Sequence, residues 1–378
     1  MAGIQCMYIA KPTLESLLSV ARALKPGCHD CVLLLFADPP DGLIDDAVRD
    51  LNELGIVFVG GVFPGLIEGP RRHRSGVVVS LLRGASRPAV AKMTEHGADW
   101  PISLPAPMSG GGGSVLALIL VDALAPCLSR FLSELFDRLG NTAAYFGMGA
   151  GTANFDDRPV LFHSDGWIEH GALVLLIPIR ASLAMRHGWN RVDGPMVATR
   201  SRANEIVELN WQPAADTYLN SVKLDRPETS VEDLFPLVSM AYPFGIMRQG
   251  EEDLIRDPIR LGRGGSLICL SDVPEHSVLY LLKGKAELLV AAASEAMREA
   301  VQSSDAKQPL CLISDCYSRA LVLGDEIQRE LTEAHGILTE RWPEAVAEGV
   351  FALGEIVGDG EQPLELNNKT FTVGILDV

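Results

Sequence analysis

What the chain lacks narrows its chemistry first. No apolar run reaches the roughly 18 residues that a membrane-spanning helix needs, and the longest candidates, Val115–Val121 and Ala172–Ile179, are strand-sized. Met1–Ala10 shows no basic segment leading into a long apolar one, so no secretory signal is expected. The cysteines number seven, an odd and scattered set that fits reduced thiols in a cytoplasm better than a disulfide framework. Basic residues are outnumbered, 32 Lys and Arg against 49 Asp and Glu, for a formal net charge of −17. Such a chain repels nucleic-acid phosphates and anionic lipid, because binding either requires clustered Lys and Arg. The one tight basic run, Arg71, Arg72 and Arg74 around His73, reads as a solvated loop, with an anion or partner contact as the alternative.

Catalytic and cofactor signatures are also missing. Gly147-Met-Gly-Ala-Gly151 is glycine-rich but leads into Thr152–Asp157 rather than opening a helix, and no Walker A sequence occurs. Cys28-His-Asp-Cys31 is a single CxxC with no second ligand pair for zinc, and Val32 stands where a haem-attachment histidine would. The eight histidines form no H-x-x-x-H or H-E-x-x-H pair; His163, at a strand end, is the best single candidate for a haem or metal ligand. No G-x-S-x-G elbow is present, and Cys316 has no local histidine. These absences point to a protein that is not an enzyme and needs no metal or haem to fold.

What is there is a repeated plan. At 378 residues, 47% hydrophobic and 21% charged, the chain suits two globular domains. Three stretches run apolar strand, Asp, helix, strand, glycine: Val32–Phe36 through Gly60-Gly61, Val115–Val121 through Gly147–Gly151, and Leu310–Ile313 through Gly354-Glu355. A further apolar strand follows each, at Val77–Leu82, Ala172–Ile179 and Phe371–Leu376. Continuous apolar strands separated by helices predict an α/β fold, two modules with mixed sheets flanked by helices. Leu128, Phe131, Leu132, Leu135 and Leu139 recur at helical spacing and predict a core-facing helix. The glycines closing the second strands predict a tight turn or a close approach. Pro101–Pro107 and Ser109–Gly113 form a loop within the first half, and the division is expected near Arg200–Gln212, giving modules 1–205 and 206–378.

The C-terminal third carries a recognisable order of motifs. Leu310-Cys-Leu-Ile-Ser-Asp-Cys316-Tyr-Ser-Arg319, then Gly349-Val-Phe-Ala-Leu-Gly354-Glu355-Ile356, then Asn367-Asn368-Lys-Thr370-Phe371 resemble the C-terminal module of the FIST family. Val59-Gly-Gly61 and Tyr145-Phe-Gly-Met-Gly-Ala-Gly151 are similar to its N-terminal module, although Val62-Phe-Pro-Gly65 replaces the Ser/Thr-rich turn common there. The resemblance implies an intracellular sensor of small ligands, amino acids or, in nitric-oxide-sensing members, haem. It further implies output through a separate signalling protein such as a histidine kinase. From the residues themselves, Arg256, Cys316, Arg319, Glu355 and Asn368 fall at or near predicted strand ends and are expected to converge on a small polar ligand. An arginine fork beside a carboxylate suits an amino-acid zwitterion, unless Arg319 and Glu355 pair with each other. A haem sensor using His163, or a cysteine-dependent enzyme using Cys316, are the competing readings.

Overall fold

The computed structural model describes residues 6–93, 100–104, 115–250 and 252–377; the glycine-rich stretch Ser109–Gly113 lies outside them. Each of the three repeated units forms a parallel strand pair. Cys31–Ala37 pairs Phe58–Val62, Leu116–Asp122 pairs Ala144–Ala150, and Pro309–Cys316 pairs Ala347–Ala352. The crossovers are helices Leu43–Glu53, Leu128–Leu139, and the pair Tyr317–Leu323 and Ile327–Arg341. The apolar strand after each unit, Gly76–Leu82, Gly171–Ile177 or Phe371–Asp377, lies antiparallel on the other side of the first strand. The sheets are therefore mixed. Their first strands are buried along nearly their whole length, as continuous apolar runs require. In helix Leu128–Leu139 the five residues at helical spacing are all buried, each such side chain contributing about 1.5–3 kcal/mol.

The units exchange strands in a circle. Gly65–Glu68, which follows the first unit's pair, adds to Ala347–Ala352 of the third. Glu355–Gly358, which follows the third unit's pair, adds to Ala144–Ala150 of the second. Leu161–His163, which follows the second unit's pair, adds to Phe58–Val62 of the first. The three sheets thus form one interlocked body with an approximate three-fold plan.

A fourth sheet runs in the order Leu254–Arg256, Phe244–Ile246, Val278–Lys283, Asn190–Arg202, Glu205–Leu209, Leu267–Cys269 and Pro258–Leu261. It packs on helix Ala214–Lys223 around a core of its own that includes Ile206, Tyr218, Phe244 and Leu279. Arg200–Gln212, expected as the junction between modules, runs through the hairpin Asn190–Arg202/Glu205–Leu209 and into the strand Gln212–Pro213 of this sheet.

The glycines at two of the second strands' ends mark close approach, whereas Gly354 in the third unit has the positive φ, 144°, of a turn. Gly147 stands inside Ala144–Ala150, where a Cβ would meet the Ile119 carbonyl oxygen at 2.8 Å. At Gly60, within Phe58–Val62, it would run into the Phe162 ring of the exchanged strand at 2.1 Å. Neither has the positive φ of a turn.

Candidate functional site

The third unit's strands end in a group of buried charges. Pro309–Cys316 delivers Asp315 and Cys316, and helix Tyr317–Leu323 immediately adds Ser318 and Arg319. The segment Asn367–Thr370 lies alongside, bridged to Glu355, and Asp257 arrives from the fourth sheet next to Pro258–Leu261.

Arg319 is fully buried and faces Glu330 of helix Ile327–Arg341, not Glu355. Its Nη2 donates to Glu330 Oε2 at 2.6 Å and to the Leu289 carbonyl at 2.6 Å, its Nη1 to the His187 carbonyl at 2.5 Å, and its Nε to Glu330 Oε2 at 3.2 Å. Asp315 lies 3.7 Å from Nε; burial, with Glu330 beside it, pushes its carboxyl well above the usual range. The guanidinium is satisfied within the fold and ties two helices and two loops together. The expected fork beside Glu355 is not formed, because Glu355 is turned to Thr370, accepting from its hydroxyl at 2.7 Å and its backbone N–H at 3.3 Å. Burial raises the Glu355 carboxyl to about 8, and its Oε1 has no hydrogen-bond partner among the described residues.

Arg256 is also turned away from this group. Its Nη2 meets Glu365 at 3.0 Å and its Nε the Asp272 carbonyl at 2.6 Å, in an adjoining cleft of ≈ 320 Å³. Asn368 accepts from the Ser271 hydroxyl at 3.3 Å, and its Nδ2 has no hydrogen-bond partner among the described residues. Of the five expected residues, the structure groups Cys316, Arg319 and Glu355, with Asn368 on the adjacent segment, while Arg256 belongs to the neighbouring cleft.

Two residues that the sequence did not single out complete the arrangement. Lys369, fully buried in a left-handed conformation, places its Nζ 2.8 Å from Asp257 Oδ2, 3.0 Å from Ser318 Oγ and over the Trp189 ring. Asp257 Oδ1 has no hydrogen-bond partner among the described residues. The signal was available: charged residues directly abutting short apolar strands, in Leu-Ile-Arg-Asp257-Pro and Asn-Asn-Lys369-Thr-Phe, must be paired if those strands are buried.

Above this pair opens a cavity of ≈ 280 Å³. Asp257, Ser318 and Cys316 form its polar side, and Leu124, Phe155, Met240, Ile259 and Leu353 its apolar walls. Burial raises the Cys316 thiol to about 12, so it is protonated at neutral pH and unlike an activated nucleophile. His163 sits half-buried in the hairpin Leu161–His163/Gly166–Ile168 and lines neither this cavity nor the cleft beside it. Among the described residues, no group of three or more His, Cys, Asp or Glu is arranged to hold a metal ion, and no helix is long and apolar enough to cross a membrane.

Fold and site together define a mixed-sheet α/β protein with a small cavity where strand ends meet. The chain belongs to the FIST family: the FIST N domain matches residues 30–212 and the FIST C domain residues 214–358. Domains of this family are sensory signal-transduction domains. Comparison with curated proteins finds none that matches the sequence. The two matches abut within the fourth sheet, although two of the other three sheets combine strands from both sides of that point.

Proposed function

We propose that this FIST pair senses a small amine with an apolar body, of amino-acid size, in the cavity beside Asp257, and signals occupancy to a separate protein such as a histidine kinase. The observation that carries the reading is Asp257, which lines a mostly apolar cavity and whose Oδ1 has no hydrogen-bond partner among the described residues. A buried carboxylate oxygen lacking a donor is costly, and an incoming ammonium supplies the missing charge-assisted bond. The volume lies at the lower end of ligand pockets, which excludes bulky occupants. Arg319, Glu355 and Asn368 act behind this surface by holding helix Tyr317–Leu323 and the Asn367–Thr370 segment. An amino acid is accommodated with its ammonium on Asp257, while its carboxylate faces solvent rather than an arginine.

Calorimetric titration with apolar amino acids, the corresponding amines and their uncharged isosteres tests this. Binding that requires the ammonium, and that falls on Asp257→Asn and on the rim substitution Ile259→Trp, supports the proposal. Equal binding of the uncharged isosteres, or no binding by any of the three classes, overturns it. Ile259 is 43% exposed, so its replacement narrows the entrance without disturbing the core.

A further inference from the structure

A second cleft, of ≈ 400 Å³, lies on the opposite side of helix Tyr317–Leu323. Cys316 and Ser318 face the first cavity, whereas Tyr317, Ala320 and Leu321 line this one. Three arginines meet there from two distant segments: Arg72 and Arg74 from the hairpin Gly65–Glu68/Arg71–His73 and its end, and Arg158 from the loop that follows Ala144–Ala150. The circular strand exchange brings these segments together, since that hairpin is carried onto the third unit's sheet.

The rest of the chain shows why this is unusual. With 49 acidic residues against 32 basic ones, carboxylates are abundant. Arg49, Arg186, Arg191, Arg200 and Arg329 each have one within ion-pair distance. Arg72, Arg74 and Arg158 have no ion pair among the described residues. The carboxylates that line the cleft are otherwise placed: Asp156 accepts from the Thr152 hydroxyl at 3.0 Å, and Asp38 stands exposed at the strand end. His73 is occupied, with its Nε2 3.1 Å from Glu68 and its ring stacked on Tyr8. Asn154 and Tyr317 add neutral donors at the same opening. Three guanidinium forks against two carboxylates leave a local excess of positive charge, shaped for a compact oxyanion with several acceptor oxygens.

We propose that this cleft is an anion site for a small phosphate-bearing molecule, distinct from the cavity beside Asp257. The assignment is independent of the function proposed above. It is tested on the full chain by calorimetry with inorganic phosphate and pyrophosphate against chloride at matched ionic strength, with succinate as a dicarboxylate comparison. The expected result is pyrophosphate binding that weakens roughly tenfold on either Arg72→Gln or Arg158→Gln, as loss of a charge-assisted bond implies. Arg200→Gln, an equal charge change at an exposed position of the fourth sheet, which contributes nothing to the cleft lining, and Asp257→Asn are expected to leave it unchanged. No binding above the chloride control, an equal loss with Arg200→Gln, or preference for succinate over pyrophosphate overturns the assignment.

Discussion

Replacing Arg319 by Ala separates a structural role from a ligand-binding one. The change removes every bond of a fully buried guanidinium at once. It strands the Glu330 carboxylate, which is itself fully buried, and frees the carbonyls of His187 and Leu289. Removing one partner of a buried ion pair costs about 3–5 kcal/mol, because the remaining charge has neither water nor a counter-charge. Against a typical domain stability of about 5–15 kcal/mol this is a large share. Urea unfolding followed by circular dichroism measures it as a lower midpoint at unchanged slope. Glu330→Ala should cost a similar amount, and the double variant less than the sum, with a coupling of about 0.5–3 kcal/mol. Arg319→Lys should rescue little, since an ammonium offers a point charge where two carbonyls and a carboxylate need a planar fork. A loss below about 1 kcal/mol, or additivity of the two single variants, would refute the reasoning and return Arg319 to the ligand.

Two further outcomes follow from the buried groups. Glu348, buried with Oε2 unpartnered among the described residues, has its carboxyl raised by burial to about 8 from 4.5. The folded state then holds the extra proton between these values, so this group's contribution to stability is greatest below 4.5 and falls as pH rises to about 8, by a few kcal/mol at the usual conversion of about 1.4 kcal/mol per pKa unit. Glu348→Gln should flatten that part of the unfolding-midpoint profile and be more stable than the parent at alkaline pH; an unchanged profile would contradict this. For the thiols, iodoacetamide with peptide mass mapping at neutral pH should label exposed Cys28 and Cys127 first and Cys316 far more slowly. Faster labelling of Cys316 than of Cys28 would restore the enzyme reading.

The strand–helix–strand units were legible because buried parallel strands and core-facing helices leave contiguous or periodic apolar patterns, as in Val32–Phe36 and Leu128–Leu139. Their exchange of strands was not. Gly65–Glu68 and Glu355–Gly358 are each four residues long, and nothing local in so short a segment specifies a partner hundreds of positions away. Likewise, the strand-end positions of Cys316, Arg319 and Glu355 were readable, but a side chain's partner depends on tertiary packing. Arg319 turns into the fold toward Glu330, and Glu355 toward Thr370. The glycine-rich Gly147–Gly151 read sooner as a tight turn than as a close approach, and only the neighbouring Ile119 backbone decides for the latter at Gly147.

The circular strand exchange also bears on the order in which the chain is made. Glu68 lies opposite Glu348 and Gly61 opposite Leu161, so the first unit emerges from the ribosome long before the segments it meets. Phe58–Val62 stays an open edge until residue 161 appears, and the hairpin after it has no sheet to join until nearly the whole polypeptide is synthesised. Loop closure over such separations slows folding, and waiting edges invite pairing with other chains. Premature termination anywhere before the third unit therefore leaves unpaired strand edges rather than a smaller folded protein.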